Sequence, residues 1–255
     1  MGSAFVAGIL RAGLVGPAQV VLADADAGRL ASVARETGTR AAPDNRTAAS
    51  GSDVVLVAVK PGTVIKVLTQ IAPELKPGQL VISVAAGVGL EAMQAALPEG
   101  TPVIRAMPNT PCRIGAGAVG YSRGKHVSDE QAAVAHSVFS SVGIAFEVPE
   151  KLLNAVTGLS GSGPAYVFLV IEALSDAGVR VGLPRDVSLP LAAHTVAGAA
   201  RMVIEGDEHP ARLKDQVTSP GGTTIAGLDA LERAGLRSAL IEAVKAAVRR
   251  AEELG

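Results

Sequence analysis

Strand signals stop near residue 148 of this 255-residue chain, and only helical patterns continue beyond it. That asymmetry limits the fold more than any single motif. Before the break, Asp53–Val59 and Gln79–Val84 are near-continuous apolar runs, the kind buried on both faces of a parallel sheet. Gln19–Ala23, ending at Asp24, and Pro102–Ala106 are shorter strands, and 119–121 and 145–148 read as late or edge strands. Helical patterns lie between them at 4–12, 27–36, 63–71, 90–96 and 129–142. Strand alternating with helix implies a parallel sheet covered by helices on both faces. The reading is therefore an α/β domain over residues 1–149 and an all-helical domain over 150–255, with Pro149 and Glu150 at the junction.

In the second half, helices are expected near 151–157, 164–181, 186–205, 209–217, 224–234 and 237–254. Pro190 interrupts the third, so Ser188 is expected as its N-cap, with Pro190 in a late first turn. These helices are rich in Ala and small apolar residues. Close packing within one chain and packing between two copies both satisfy that composition. Aromatic residues make up only 2% of the chain, so any core rests on Ala, Val, Leu and Ile.

Two segments interrupt the helical half with glycine and hydroxyls: Gly158–Tyr166, and Thr218–Ile225 with Ser219, Pro220, Gly221, Gly222, Thr223 and Thr224. Glycines let a ligand approach the backbone. Hydroxyls and free amides where a helix starts bind anions or cap the helix. Two such junctions read as two walls of one polar pocket for a small anion.

Other chemistry is less marked. A net charge of −1 gives no long-range attraction to nucleic acid or anionic membrane. Cys112 is the single cysteine, which excludes an internal disulfide. The four histidines make no metal-ligand spacing, and His194 reads as a core residue. No basic-then-apolar leader opens the sequence, and no uncharged apolar run reaches the ~20 residues of a membrane span. A cytoplasmic protein without metal, nucleic-acid or membrane partners is expected.

Taken in order, several segments resemble the pyrroline-5-carboxylate reductase family: 57–61 (VAVKP), 83–87 (SVAAG), 105–111 (RAMPNTP), 160–166 (SGSGPAY), and 213–215 (LKD) with 218–224 (TSPGGTT). The resemblance covers nearly the whole chain. It implies a Rossmann-type NAD(P)-binding domain and a helical domain that forms an intertwined homodimer, sometimes a larger ring. It implies hydride transfer from NADPH or NADH to the C=N carbon of 1-pyrroline-5-carboxylate, giving L-proline. By that resemblance Ser219, Gly221, Gly222 and Thr223 hold the substrate carboxylate, and Thr224 is the catalytic candidate that hydrogen-bonds the ring nitrogen. Gly2, Asp24, Val59, Lys60, Pro61, Ala85, Met107, Pro108 and Asn109 are the cofactor-binding candidates. Thr224 as a helix cap, Lys60 as a solvated strand end and Asn109 as a turn former are the structural alternatives.

The sequence departs from the family pattern in two places. The family opens with a strand and a G-x-G-x-M-G turn, and here only the tail of that turn is matched, with Gly2 as its third glycine. A late start or a trimmed chain is the expected reason. If the sequence as written is the whole polypeptide, a gap between two sheet strands, weak cofactor binding and poor stability are expected. Asp24 closes the 19–23 strand, where a carboxylate bonds the ribose 2′-OH of NADH and repels a 2′-phosphate. NADH or dual use is therefore expected. A related imine or β-hydroxyacid reductase using Lys214 or Asp215 is one competing reading. A cofactor-broken helical interaction module is the other.

Overall fold

The computed structural model describes residues 1–254, so Gly255, which closes the expected helical domain, lies outside it. In chain order the elements begin α1 (Gly2–Arg11), β1 (Val21–Leu22), α2 (Ala27–Thr37), β2 (Arg40–Ala41), α3 (Asn45–Ser50), β3 (Val54–Val57) and α4 (Val64–Ile71). They continue with β4 (Leu80–Ser83), α5 (Leu90–Ala95), β5 (Val103–Met107), β6 (Gly117–Arg123), α6 (Asp129–Ser140) and β7 (Gly143–Glu147). After α7 (Leu153–Val156) and a π-helical turn (Thr157–Gly161) come α8 (Gly163–Arg180), α9 (Arg185–Glu205), α10 (Pro210–Gln216), α11 (Thr223–Arg233) and α12 (Leu236–Leu254).

The strands form two sheets, a two-stranded β1–β2 pair and a five-stranded sheet in the order β3–β4–β5–β6–β7. Among the described residues no strand joins the two. Pairing is parallel except between β5 and β6, which are antiparallel. The all-parallel expectation fails there for a physical reason. Only a short 3₁₀ turn, Thr110–Ile114, and flanking loop join these strands. A parallel return needs a crossover of a dozen or more residues. Gly115, at φ +77°, ends that turn in the left-handed region.

The buried strands of the larger sheet send alternate residues to its two faces. Leu80, Ile82 and Ile104 join Phe5, Val119, Tyr121, Ala135 and Phe139 on one side. Val57, Val81 and Val103 join Val64, Leu68, Ile71, Leu90 and Met93 on the other. The scarce aromatics are concentrated on the first face, where Phe5 meets Phe139 edge-on at 6.3 Å and Tyr121 lies 4.9 Å from Phe139. Helix ends are fixed by local chemistry. Ser128 and Gln131 form a capping box on α6. Asp44 accepts the Thr47 N–H at the start of α3, and that hydrogen bond holds its carboxyl below the usual range.

By packing, the chain divides into two compact units. One is Met1–Ser162 joined by the stretch from Ala246 onward, and the other is Gly163–Lys245. Helix α12 contributes to both. In the second unit α8 and α9 pack through a polar contact. The Ser188 hydroxyl, buried, donates to the Ser175 carbonyl at 2.6 Å, and a Cβ on Gly178 would collide with that hydroxyl. This overturns the expected late start of α9. The helix begins at Arg185 with Pro190 inside it, and Ser188 bonds across to α8 instead of capping.

The second unit has little core of its own. No residue of α10, α11 or α12 is buried. Phe168 (63% exposed), Leu169 (65%) and Ile204 (78%) stand out of α8 and α9. His194, expected in the core, is also exposed. Helix α9 is long and apolar enough to cross a membrane by length and composition. Apolar surface of this extent marks an interaction site.

Candidate active site

Three parallel strands, β3, β4 and β5, end in one row, with Val57 beside Ser83 and Ser83 beside Arg105. Their carboxyl ends therefore release Ala58–Pro61, Val84–Gly87 and, past the row where β5 runs on to Met107, Pro108–Asn109 at a single sheet edge. Ligands of open α/β sheets bind at this edge. Val59, Lys60, Pro61, Ala85, Met107, Pro108 and Asn109 are brought together there. Lys60 is exposed and starts a 3₁₀ turn whose first residue is Pro61. Ala85 and Pro108 are buried, and Met107 is half-buried.

Gly2 opens α1 against this edge. A Cβ on it would lie 3.3 Å from the Ala58 Cβ, so a side chain would crowd the loop after β3. No side chain caps this helix start. The first amides of a helix have no partner within it and carry a partial positive charge. The carboxyl edge, a glycine where a side chain would intrude, and an uncapped helix start together fit a dinucleotide.

Asn109 behaves as a turn builder. It is 9% exposed, and its Oδ1 accepts the Ala118 N–H at 3.0 Å. The Cys112 thiol also donates to that oxygen at 3.9 Å. Burial pushes the Cys112 thiol up, so it stays protonated and keeps this donor role. The amide thereby ties the end of β5 to the start of β6.

Asp24 lies just beyond β1, in the two-stranded sheet. Its Oδ1 accepts the Asp26 N–H at 3.0 Å, and its Oδ2 is 4.0 Å from Arg29 Nε. The carboxylate is thus aimed by a backbone turn and sits beside a cation on the next helix.

The hydroxyl-rich segment belongs to the second unit. After α10, Gly221 takes φ +67°, a left-handed conformation open to glycine. Gly222 follows as N-cap of α11, and no side chain caps that helix. Thr223 and Thr224 are its first two residues, so the helix starts earlier than the sequence implied and Thr224 is not its cap. The Ser219 hydroxyl packs over the Gly222 Cα, where a Cβ would collide with it. Thr218 points the other way, donating to the Lys214 carbonyl at 2.7 Å. Ser219, Gly221, Gly222, Thr223 and Thr224 therefore surround one uncapped helix start of the kind that binds anions. Lys214 and Asp215, the residues of the competing reading, form an exposed pair with each other at 3.1 Å.

The first hydroxyl-rich segment straddles the division: residues 158–162 fall in the first unit, and 163–166 fall in the second with 218–225. Thr157–Gly161 packs with the first unit as a π turn, a rare form that concentrates at functional sites. Sequence reading missed this turn because π and α turns use the same residues. It also missed a three-way tie at the domain junction. Glu150 Oε1 accepts from Arg105 Nη1 at 3.0 Å and from the Leu90 N–H at 2.7 Å, so one carboxylate oxygen holds β5 and the start of α5. Glu150 thereby occupies the first amide of α5. An acidic residue just after a predicted strand was the only signal available.

Comparisons with known proteins fall on the same two halves. A family model described as "Pyrroline-5-carboxylate reductase dimerisation" matches residues 150–254. One described as "NADP oxidoreductase coenzyme F420-dependent" matches residues 1–87. A pyrroline-5-carboxylate reductase of Synechocystis sp. is 48% identical over 255 residues, covering 100% of this chain and 95% of the relative. The solved structure of a Coxiella burnetii pyrroline-5-carboxylate reductase superposes with a TM-score of 0.95 at 36% identity, covering 100% of this chain and 94% of that one. A Plasmodium falciparum pyrroline carboxylate reductase, solved with NADP bound, superposes at 0.88 with 33% identity and the same coverage.

Proposed function

This chain belongs to the pyrroline-5-carboxylate reductase family, and from that premise we infer that it reduces 1-pyrroline-5-carboxylate to L-proline with NADPH or NADH. The observation that carries the reading is the 48% identity across the entire chain, which includes both candidate regions. The bound nicotinamide supplies the hydride that the C=N carbon receives. The protein's own task is to hold two molecules in register. Such positioning contributes roughly 7–11 kcal/mol in favourable cases.

On the cofactor side, the Gly2 end of α1 takes the pyrophosphate on free amides, and Lys60 meets phosphate or ribose. Asp24 hydrogen-bonds the adenosine ribose. Val59, Pro61, Ala85, Met107 and Pro108 line the edge, and Asn109 shapes the turn beside the nicotinamide. On the substrate side, the amides and hydroxyls of Ser219, Gly221, Gly222 and Thr223 receive the carboxylate without a buried arginine. The Thr224 hydroxyl bonds the ring nitrogen and orients the imine. The absence of a side-chain cap on α11 supports this assignment, because it leaves the Thr223 and Thr224 amides available, while the Gly222 N–H donates to the Ser219 carbonyl at 3.1 Å.

The apolar faces of α8 and α9 are covered by a second copy of the chain, in line with the dimerisation family matched over that region. Assembly of dimers into a larger ring and a cytoplasmic location complete the proposal. Oxidation of NADPH or NADH by the purified protein in the presence of 1-pyrroline-5-carboxylate tests it. Turnover that depends on both partners and yields proline is expected, and no turnover with either cofactor overturns the reading.

A further inference from the structure

Met107 and Gly120 face each other as register partners across β5 and β6. The α7 helix and its π turn pack over this rung, and two glycines permit the approach. A Cβ on Gly120 would lie 2.8 Å from both Val156 methyls, and one on Gly161 would lie 2.6 Å from Met107 Cε. The two contacts differ in what they would cost. Val156 is β-branched and stiff, so the Gly120 contact is a packing requirement. Met107 is unbranched and adaptable, and its terminal methyl moves aside readily.

Folding alone therefore gives little reason for glycine at 161. Its backbone is not left-handed, and glycine weakens a helical turn relative to alanine. What its bare Cα does is leave a seat for the Met107 methyl. Met107 ends β5 at the carboxyl edge, next to Pro108 and Asn109, and part of its side chain stays accessible. A thioether packs favourably against an aromatic ring through its sulfur, whose position the seat of the terminal methyl fixes.

We propose that Gly161 is a positioning residue for the reductase. By seating the Met107 methyl, it sets where the nicotinamide ring rests at the end of β5. The proposal builds on the functional reading above, in which this edge holds the cofactor.

Methyl NMR of protein carrying [ε-¹³C]methionine tests it directly. The chain has four methionines, and Met107→Leu identifies the relevant resonance. NADP⁺ is expected to move the Met107 resonance in wild type. Gly161→Ala is expected to displace it in the free protein, while Tm changes by no more than about 2 °C. In the assay, Gly161→Ala is expected to lower kcat about tenfold, with KM for pyrroline-5-carboxylate within about twofold. A larger isotope effect with 4-deuterated NADPH should accompany that loss. Adding Met107→Leu, which removes the terminal methyl, should recover part of the lost kcat. A Met107 resonance indifferent to NADP⁺ overturns the proposal, as does a Gly161→Ala variant with wild-type kcat. A joint fall of kcat and Tm without displacement of the resonance also overturns it. Because the resonance is read without turnover, these results stay distinct from a wild type that fails to reduce the imine.

Discussion

Thr224 is the residue on which the substrate reading is most exposed to test. It sits at the second position of α11, in a helix start that no side chain caps. Thr224→Ala is expected to lower kcat/KM for pyrroline-5-carboxylate about tenfold, the loss of one hydrogen bond to the substrate. Thr224→Ser should keep most of the activity, and steady-state kinetics of the three proteins decides. A purely structural role within the first turn of α11 would lower Tm and leave kinetics untouched. The role proposed for Asp24 in the choice of cofactor is tested by the same kind of logic. Arg29, 4.0 Å from its carboxylate, becomes available to a 2′-phosphate once that carboxylate is gone. Asp24→Ser is expected to shift the kcat/KM ratio about tenfold toward NADPH. An unchanged ratio removes Asp24 as the determinant. Both positions were legible in the sequence as candidates, because glycine, hydroxyl and carboxylate at an element boundary have few uses. The commitment of Asn109 to the Ala118 N–H was not, since a turn residue's partner lies across the fold.

Among elements, the apolar strands β3 and β4 were readable, since continuous apolar runs fit a sheet. Only β4 is buried along its length, while β3 lies at the sheet's edge and is half-buried except at Val57. The small pieces β2 and α3 escaped because two and six residues carry no period. The antiparallel turn from β5 to β6 escaped because strand signals carry no direction. Helix α9 shows how tertiary contact overrides local preference. Ser188 and Pro190 together spell a helix start, yet the helix runs through both because Ser188 bonds to α8. This contact carries a prediction for the pair. Gly178→Ala pushes a methyl into the Ser188 hydroxyl and should destabilise the protein by about 1–3 kcal/mol in urea unfolding. Adding Ser188→Ala should cost less than the sum of the two single changes, because the collision is removed with the hydroxyl. Additive losses would mean that α8 and α9 do not meet through this seat.

At the scale of the molecule, the helical unit leaves Phe168, Leu169 and Ile204 uncovered in a single chain. Apolar periodicity in the sequence announced buried helix faces, but it could not say whether the same chain or a second copy buries them. Phe168→Asp is expected to shift the protein toward monomer in sedimentation velocity and to lower activity with it. A monomeric variant with full kcat would separate assembly from catalysis and overturn the dimer as a requirement.

The separate β1–β2 sheet has its own consequence. Two strands of two residues each are marginal as an independent structure, whereas β4 is buried along its whole length between β3 and β5. Amide hydrogens of Arg40 and Ala42, which bond Val20 and Leu22, should exchange with solvent far faster than those of β4. Asp24 follows β1, so this part of the chain is expected to open more readily than β4. A dinucleotide that closes on Asp24 pays part of its binding energy to order that part. Cofactor affinity and the deuterium uptake of residues 20–42 are therefore one linked quantity: uptake there should fall on adding NADP⁺ while β4 is unchanged.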